Sequence, residues 1–274
     1  MKTRYLSLPY LIWALVFIII PIGLVVYYSL TVEVDGKLIF SWANYKQALT
    51  PSYLLALWRS IWLAFVCTVI CFALGYPIAY IMASREYASK GFLLFLFLVP
   101  MWMNFLLRTY SWLSILERNG FINSLLRLLS LPEARILYTD KAVVLGMVYN
   151  FLPFMILPIH TVMKKMDSSI IEAAQDLGAN GRTVFLRVVF PLSIPGVVSG
   201  VTMVFMPSVT TFIISKLLGG AQFMLIGNMI ERQFTESRNW NLGSAVSVML
   251  MVLILTSIAI FTVVDKDGEG GALF

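Results

Sequence analysis

The chain has 274 residues, 59% of them hydrophobic and 12% charged, with a mean hydropathy of +0.86 and a formal net charge of +6. Soluble domains carry about 25% charged residues, so the composition excludes a water-soluble globular protein and marks a polytopic membrane protein. Lys and Arg fall mostly in ends and loops, which accounts for the net charge with no nucleic-acid partner.

A hydrocarbon core of about 30 Å needs about 20 apolar residues per helix. Six runs qualify, at approximately 8 to 30, 59 to 84, 92 to 116, 141 to 163, 192 to 218 and 242 to 264. None alternates with the two-residue period of a barrel strand, so the expectation is an all-α polytopic protein with six transmembrane helices in one membrane domain, residues 1–274. The first run follows Lys2 and Arg4, stays apolar and lacks a small-residue cleavage site, as an uncleaved span does. Nine Lys or Arg lie in the ends and loops that share a side with the N-terminus, against seven in the longer loops opposite. That bias puts both termini in the cytoplasm. Loops 31–58, 117–140 and 219–241 then face out, and 85–91 and 164–191 face in.

Proline falls inside the runs at Pro21, Pro77, Pro100, Pro153, Pro158 and Pro207, and Pro191 and Pro195 bracket the start of the fifth. Such breaks are tolerated where neighbouring groups recover the lost hydrogen bonds. Cys67 and Cys71 share a face of the second run without His or acidic neighbours and read as packing residues. The single histidine, His160, reads as a packing or helix-end residue. "GANGRT" at 178–183 has neither the spacing nor the Lys of a phosphate loop, and no H-E-x-x-H, G-x-S-x-G or paired intramembrane carboxylates occur. No catalytic or metal-binding set is expected, which leaves transport ahead of catalysis.

The third run is polar and aromatic for a lipid-facing helix, with Trp102, Asn104, Arg108, Tyr110 and Trp112. Trp102, Arg108 and Trp112 cannot share one face. In the fifth run Ser208, Thr211 and Ser215 form a hydroxyl stripe beside Phe212 and Lys216, and "GVVSG" at 196–200 fits the G-x-x-x-G close-packing pattern. A hydroxyl stripe either joins helices or lines a path.

Between the fourth and fifth runs lies a polar island, "EAAQDLGANGRTVFLRVVFP", residues 172–191. Ser169 with Glu172 forms a capping box, so a helix of about two turns is predicted from there, with Gly178 taking the left-handed conformation at its end. Ile170, Ala173, Ala174 and Leu177 make its apolar stripe, opposite Glu172, Gln175 and Asp176. A helix so short is unstable alone and must dock. A second amphipathic segment, Thr183 to Phe190, is expected to end at Pro191. A lipid-lying helix would be basic and bulky, whereas the first helix is acidic and Ala-rich, which suits a protein groove.

"EAAQDLG", nine further residues, then Val188, Phe190 and Pro191 resemble the EAA loop of permease subunits of ABC importers, whose pattern is E-A-A, three residues, Gly, nine residues, I-x-L-P. Val for Ile and Phe for Leu are the departures. "VPMWMNFLLRTYSW" at 99–112, "YNFLPFMILPI" at 149–159 and "KLLGGAQFMLIGNMIERQF" at 216–234 are similar to permeases of the spermidine/putrescine type, although relatives for iron and other solutes share parts of them. The resemblance implies a type I ABC importer permease fold in the cell membrane. It makes the loop helix, with Glu172, Ala173, Ala174, Asp176, Leu177 and Gly178, the coupling helix that docks into a separate ATPase. No cofactor is then expected in this chain, with ATP and Mg held by an ATPase dimer. The other implied partners are a second permease subunit, an extracytoplasmic polyamine-binding protein and membrane lipid. A pathway for polyamines is implied along Trp102, Asn104, Tyr110, Ser208, Thr211, Phe212 and Lys216, with Phe212 at the place of a gating aromatic. Aromatic faces hold cations by about 0.5–2 kcal/mol each. Lys216 and Arg108 run against a cationic substrate and, facing the pathway unpaired, would favour an anion. A self-sufficient secondary transporter or channel would carry ion-coupling carboxylates at membrane depth, and these runs have none.

Overall fold

The computed structural model describes residues 8–84, 91–220 and 224–265. Lys2, Arg4, the loop with Arg85 and Lys90, residues 221–223 and the tail from Lys266 lie outside them. Five helices among the described residues are long and apolar enough to cross a membrane: α1 (Pro9–Ser29), α3 (Pro51–Ala83), α7 (Asp140–Lys164), α9 (Gly181–Thr210) and the apolar part, Trp240–Phe261, of α12 (Trp240–Asp265). The expected third span is instead divided into α4 (Gly91–Trp102) and α5 (Phe105–Leu116), with a short α6 (Phe121–Leu128) after it, and the expected fifth span stops at Thr210 before a short α10 (Ile213–Leu218). A hydropathy window averages across such breaks, because the residues at them remain largely apolar.

The chain falls into two compact units, Met1–Trp58 with Ile226–Thr256, and Arg59–Leu225 with Ser257–Phe274. In the first, α1 is followed by a hairpin, β1 (Thr31–Val34) and β2 (Lys37–Phe40), in antiparallel register with Thr31 opposite Phe40. Its turn is Asp35-Gly36, both at positive φ (50° and 75°), as a two-residue hairpin turn requires. The last carbonyls of a helix lack internal partners, and here side chains supply them. Asn241 at the start of α12 donates to the carbonyls of Tyr28 (3.2 Å) and Thr31 (2.6 Å). Asn44, on α2 (Ala43–Ala48), donates to Ser29 (3.2 Å) and Thr31 (2.8 Å). Gln233 of α11 (Ile226–Thr235) donates to the Tyr53 hydroxyl at 2.9 Å. No residue in the most apolar stretch of α1 is buried by the chain itself.

The second unit is built on α7, whose Val143, Met147, Met155, Ile156 and Ile159 are fully buried. α9 lies close against it because two glycines remove the side chains between them. A Cβ on Gly196 would stand 3.0 Å from the Ile159 Cα and the Pro158 carbonyl oxygen, and one on Gly200 3.1 Å from the Met155 carbonyl oxygen. This is the G-x-x-x-G contact expected of residues 196–200. On another face of α7, Gly146 makes room for Ile214 and Leu218 of α10. α3 joins through a bond between the Tyr76 and Ser193 hydroxyls (2.9 Å), and Cys67 and Cys71 are free and buried, as expected of packing residues.

Both α1 and α9 contain one wide turn, at Leu15–Ile19 and Phe185–Val189, in which the N–H of the next residue bonds five back, Ile20 to Leu15 and Phe190 to Phe185. Each wide turn comes immediately before a proline pair of positions, Ile20-Pro21 and Phe190-Pro191. Proline has no N–H and its ring strikes the carbonyl four residues back; widening the preceding turn relieves both. The expected stop at Pro191 is therefore not realised, and the segment Thr183 to Phe190 is the first part of α9 itself.

Gly196→Leu is expected to lower the stability of the detergent-solubilised protein by about 1–3 kcal/mol through overpacking against backbone, read as a lower midpoint of thermal unfolding. Gly23→Ala, in a helix where nothing lies within 4 Å, should leave that midpoint unchanged or slightly raised.

Candidate functional site

The polar island folds into α8 (Ser168–Asp176). Its cap is Asp167 and not the expected Ser169. The Asp167 carboxylate accepts from the Ser169 N–H at 2.9 Å, and that bond, with one from the Ser169 hydroxyl, holds the carboxyl below its usual range. A carboxylate held by these two donors competes well for the capping place, which leaves Ser169 inside the first turn. At the other end Gly178 takes φ +82°, its N–H bonds the Gln175 carbonyl (2.8 Å) and the Ala179 N–H bonds the Ala174 carbonyl (3.1 Å). This pair of bonds is the Schellman stop, as the sequence leads one to expect.

The predicted apolar stripe divides. Ala174 turns inward with Ile171 to pack on the chain's own core, while Ile170, Ala173 and Leu177 face out, Leu177 with 89% of its surface exposed. Glu172, Asp176 and Gly178 are exposed as well. α8 is thus seated on the first turns of α9 by one edge and presents a small apolar ridge by the other. The Asn180 side chain caps α9 by accepting from the Thr183 N–H at 2.9 Å, so two capped helix ends flank a turn of four residues. Little of this element is free to bend.

The expected pathway residues collect around the two helix breaks. Trp102 is the last residue of α4, with its ring edge-on to Phe95 at 5.5 Å and 76% of its surface exposed. Asn104 sits in the break with extended backbone (φ −55°, ψ 131°) and caps α5 by accepting from the Leu106 N–H at 2.8 Å. Tyr110, one face of α5 away, is exposed. In the second break Thr211 is extended (φ −62°, ψ 138°), and Phe212 and Lys216 stand partly open. Each break follows a proline by four residues, Pro100 before Asn104 and Pro207 before Thr211. A missing N–H leaves the last turn of the helix with fewer bonds, and a polar residue ends it. α10 packs on both α5 and α7.

Ser208 and Thr211 are buried within the chain rather than open. The Ser208 hydroxyl bonds the Val204 carbonyl (2.7 Å) and approaches the Cys67 sulfur (3.7 Å). For Ser208 the helix-joining alternative describes the contact in this chain.

Arg108, on α5 one turn past the break, keeps only 8% of its surface, and its Nε and Nη1 have no hydrogen-bond partner among the described residues. Its guanidinium carbon lies 5.9 Å from the Phe105 ring centre. Asn150 of α7 has the complementary defect, a buried amide oxygen with no donor. Each such group costs about 1–3 kcal/mol. Sequence reasoning noticed the charge of Arg108 but had no signal for its burial. It also gave no sign that Trp112 meets Tyr149, their rings 5.4 Å apart, or that both line a groove with Trp62. These residues are far apart in the chain, and only packing joins them.

Residues 75–267 match the family described as "Binding-protein-dependent transport system inner membrane component". The spermidine/putrescine transport system permease protein PotB of Haemophilus influenzae is 39% identical over 261 residues, covering 93% of this chain and 91% of its own length. The protein of the same name from Escherichia coli K12 is 36% identical over 247 residues, covering 88% and 90%. Among solved structures, a bacterial ABC transporter involved in the import of the acidic polysaccharide alginate superposes with a TM-score of 0.77 at 14% identity, over 98% of this chain and 96% of that one. A chain of the inward-facing MetNI methionine ABC transporter gives 0.59 at 14% identity, over 80% and 99%. The structural likenesses speak to the fold, and the sequence matches to the family. The chain belongs to the inner-membrane components of binding-protein-dependent transport systems, as a multi-pass, non-catalytic permease subunit of an ABC importer whose ATPase is a separate subunit.

Proposed function

We propose that this chain forms half of the translocation pathway of an ATP-driven polyamine importer. The observation that carries the substrate class is 39% identity, over nearly the full length, to a permease named for spermidine and putrescine. The remaining partners are a second permease subunit, an ATPase dimer that holds ATP and Mg, and an extracytoplasmic polyamine-binding protein. Both units of the chain act as one permease domain, with both termini and α8 in the cytoplasm. The start of α7 then lies on the extracytoplasmic side.

α8 is the coupling helix. Its exposed ridge of Ile170, Ala173 and Leu177 enters a groove of the ATPase, and its two stops, Asp167 and the Gly178 turn, let it pass force to α9 without unravelling. The pathway runs past the breaks at Asn104 and Thr211–Phe212, where Trp102, Tyr110 and Phe212 offer aromatic faces to a flexible cation. Half-helices ending at membrane depth are suited to such sites because their end groups face the path. The positive charges of Arg108 and Lys216 are what favours an anionic substrate over a cationic one, and the uptake experiment below separates the two.

Leu177→Glu should leave the chain inserted and as stable as the parent, because the residue is 89% exposed, while weakening association with the ATPase subunit on co-purification. Gly178→Glu adds backbone strain of about 1–3 kcal/mol at φ +82° and should reduce transport-linked ATP hydrolysis in the reconstituted complex. Undiminished coupling in both variants would remove the assignment of α8.

Ala replacements of Trp102, Tyr110 and Phe212 should lower uptake of labelled spermidine per assembled complex in at least two of the three. All three are partly or largely exposed, so assembly itself should change little. Lys216→Glu should change uptake more than Lys216→Ala. Preferential uptake of an anion by the parent complex would overturn the substrate class.

A further inference from the structure

Between α3 and α7 runs a groove of about 680 Å³, with Trp62 and Leu74 on one wall, Leu145, Tyr149 and Leu152 on the other and Trp112 of α5 alongside. α3 and α7 run in the same direction, since Arg59 meets Asp140 at one end and Gly75 meets Met155 farther along. The groove therefore has a head and a foot. It extends from Trp62 to Leu74 and from Asp140 to Leu152, about 18 Å at 1.5 Å per residue, close to the ~15 Å of one leaflet's hydrocarbon.

Among the described lining residues, charge is found at the head. Asp140 is bonded to Arg59 at 2.7 Å, which neutralises it, and the neighbouring Lys141 is exposed and makes no ion pair among the described residues. The positive end of α7 adds to that potential. Below the head the walls are aliphatic and aromatic. The groove is open along its length and wide enough for a hydrocarbon chain. A polycation would find no free carboxylate there and would meet Lys141 first.

We propose that this groove holds one acyl chain of an anionic phospholipid, with the phosphate at Lys141, in the leaflet on the Asp140 side of the membrane. Trp62, 53% exposed near the head, lies where an indole prefers the headgroup boundary. The inference does not depend on what the transporter carries.

The test is native mass spectrometry of the whole transporter complex, exchanged into detergent with added phosphatidylglycerol or phosphatidylcholine. One tightly held phosphatidylglycerol should disappear in Leu145→Trp, which adds bulk at a residue already 36% exposed and so spares the core. Lys141→Glu should weaken retention of phosphatidylglycerol by at least ~5-fold, the loss expected for one basic residue at a lipid surface, and leave phosphatidylcholine unaffected. Equal retention by the parent and both variants overturns the proposal. So does displacement of the lipid by added spermidine, which would assign the groove to substrate, or a photo-crosslinker at position 145 that captures the second permease instead of lipid.

Discussion

The close approach of α7 and α9 at Gly196 and Gly200 is the constraint on which the rest of the chain depends. Lipid tails are as apolar as leucine side chains, so helices in a membrane gain little from hiding apolar surface from each other and associate through close packing instead. Two missing side chains bring α9 against the backbone of Pro158, Ile159 and Met155. α9 carries α8 at one end and the Thr211–Phe212 break at the other. A single seam therefore sets the position of both the surface ridge and the opening in the helix, roughly 45 Å apart by the rise of 30 residues.

The coupling role proposed for α8 requires α9 to stay continuous over that distance, and α9 contains three prolines, Pro191, Pro195 and Pro207. The wide turn at Phe185–Val189 absorbs the first by giving up one bonding register instead of the whole turn. The Tyr76–Ser193 bond and the rings of Tyr76 and Phe190, 5.7 Å apart, brace the same segment from α3. Phe185 packs edge-on against Tyr76 and Tyr80 at 5.9 and 5.4 Å. The irregular part of the helix is thus the part with the most aromatic support, where bending would otherwise concentrate.

What could be read from the sequence was local. The stop at Gly178, the two-glycine seam and the inert cysteines each follow from residues within one or two turns of each other, and the structure contains all three. The Asp35-Gly36 hairpin carries an equally local signal, since a D-G pair between alternating strands names its own turn, but it lies in a segment that hydropathy marks only as a loop between spans. The breaks at Asn104 and Thr211 were hidden for another reason. Hydropathy measures whether a segment can sit in a membrane and not whether its backbone is unbroken, so it puts Trp102 and Asn104 on one helix although they flank its end. The cap moved from Ser169 to Asp167 because competing caps two residues apart differ by charge, which a pattern match does not weigh. Groups that meet through tertiary packing, such as Trp112 with Tyr149, have no sequence signature at all.

Three features of the chain are unfavourable for a protein standing alone, and they fall on different surfaces. The most apolar stretch of α1 has no buried residue, Leu177 on α8 is 89% exposed, and two buried guanidinium nitrogens of Arg108 have no acceptor among the described residues. Lipid can satisfy the first, but an exposed leucine on a short helix and a buried unneutralised charge each require something more specific than lipid. A buried ion is strongly destabilising when its partner is missing and close to neutral when the pair is complete. In the proposed assembly, α8 and α5 are where contacts made by other chains have most to contribute. Both elements are reached from the same seam, α8 through the first turns of α9, and α5 through α10 packed on α7 at Gly146. A change of contact at either one bears on the packing that positions the other, which is the arrangement a subunit needs if binding on one face is to alter an opening on another.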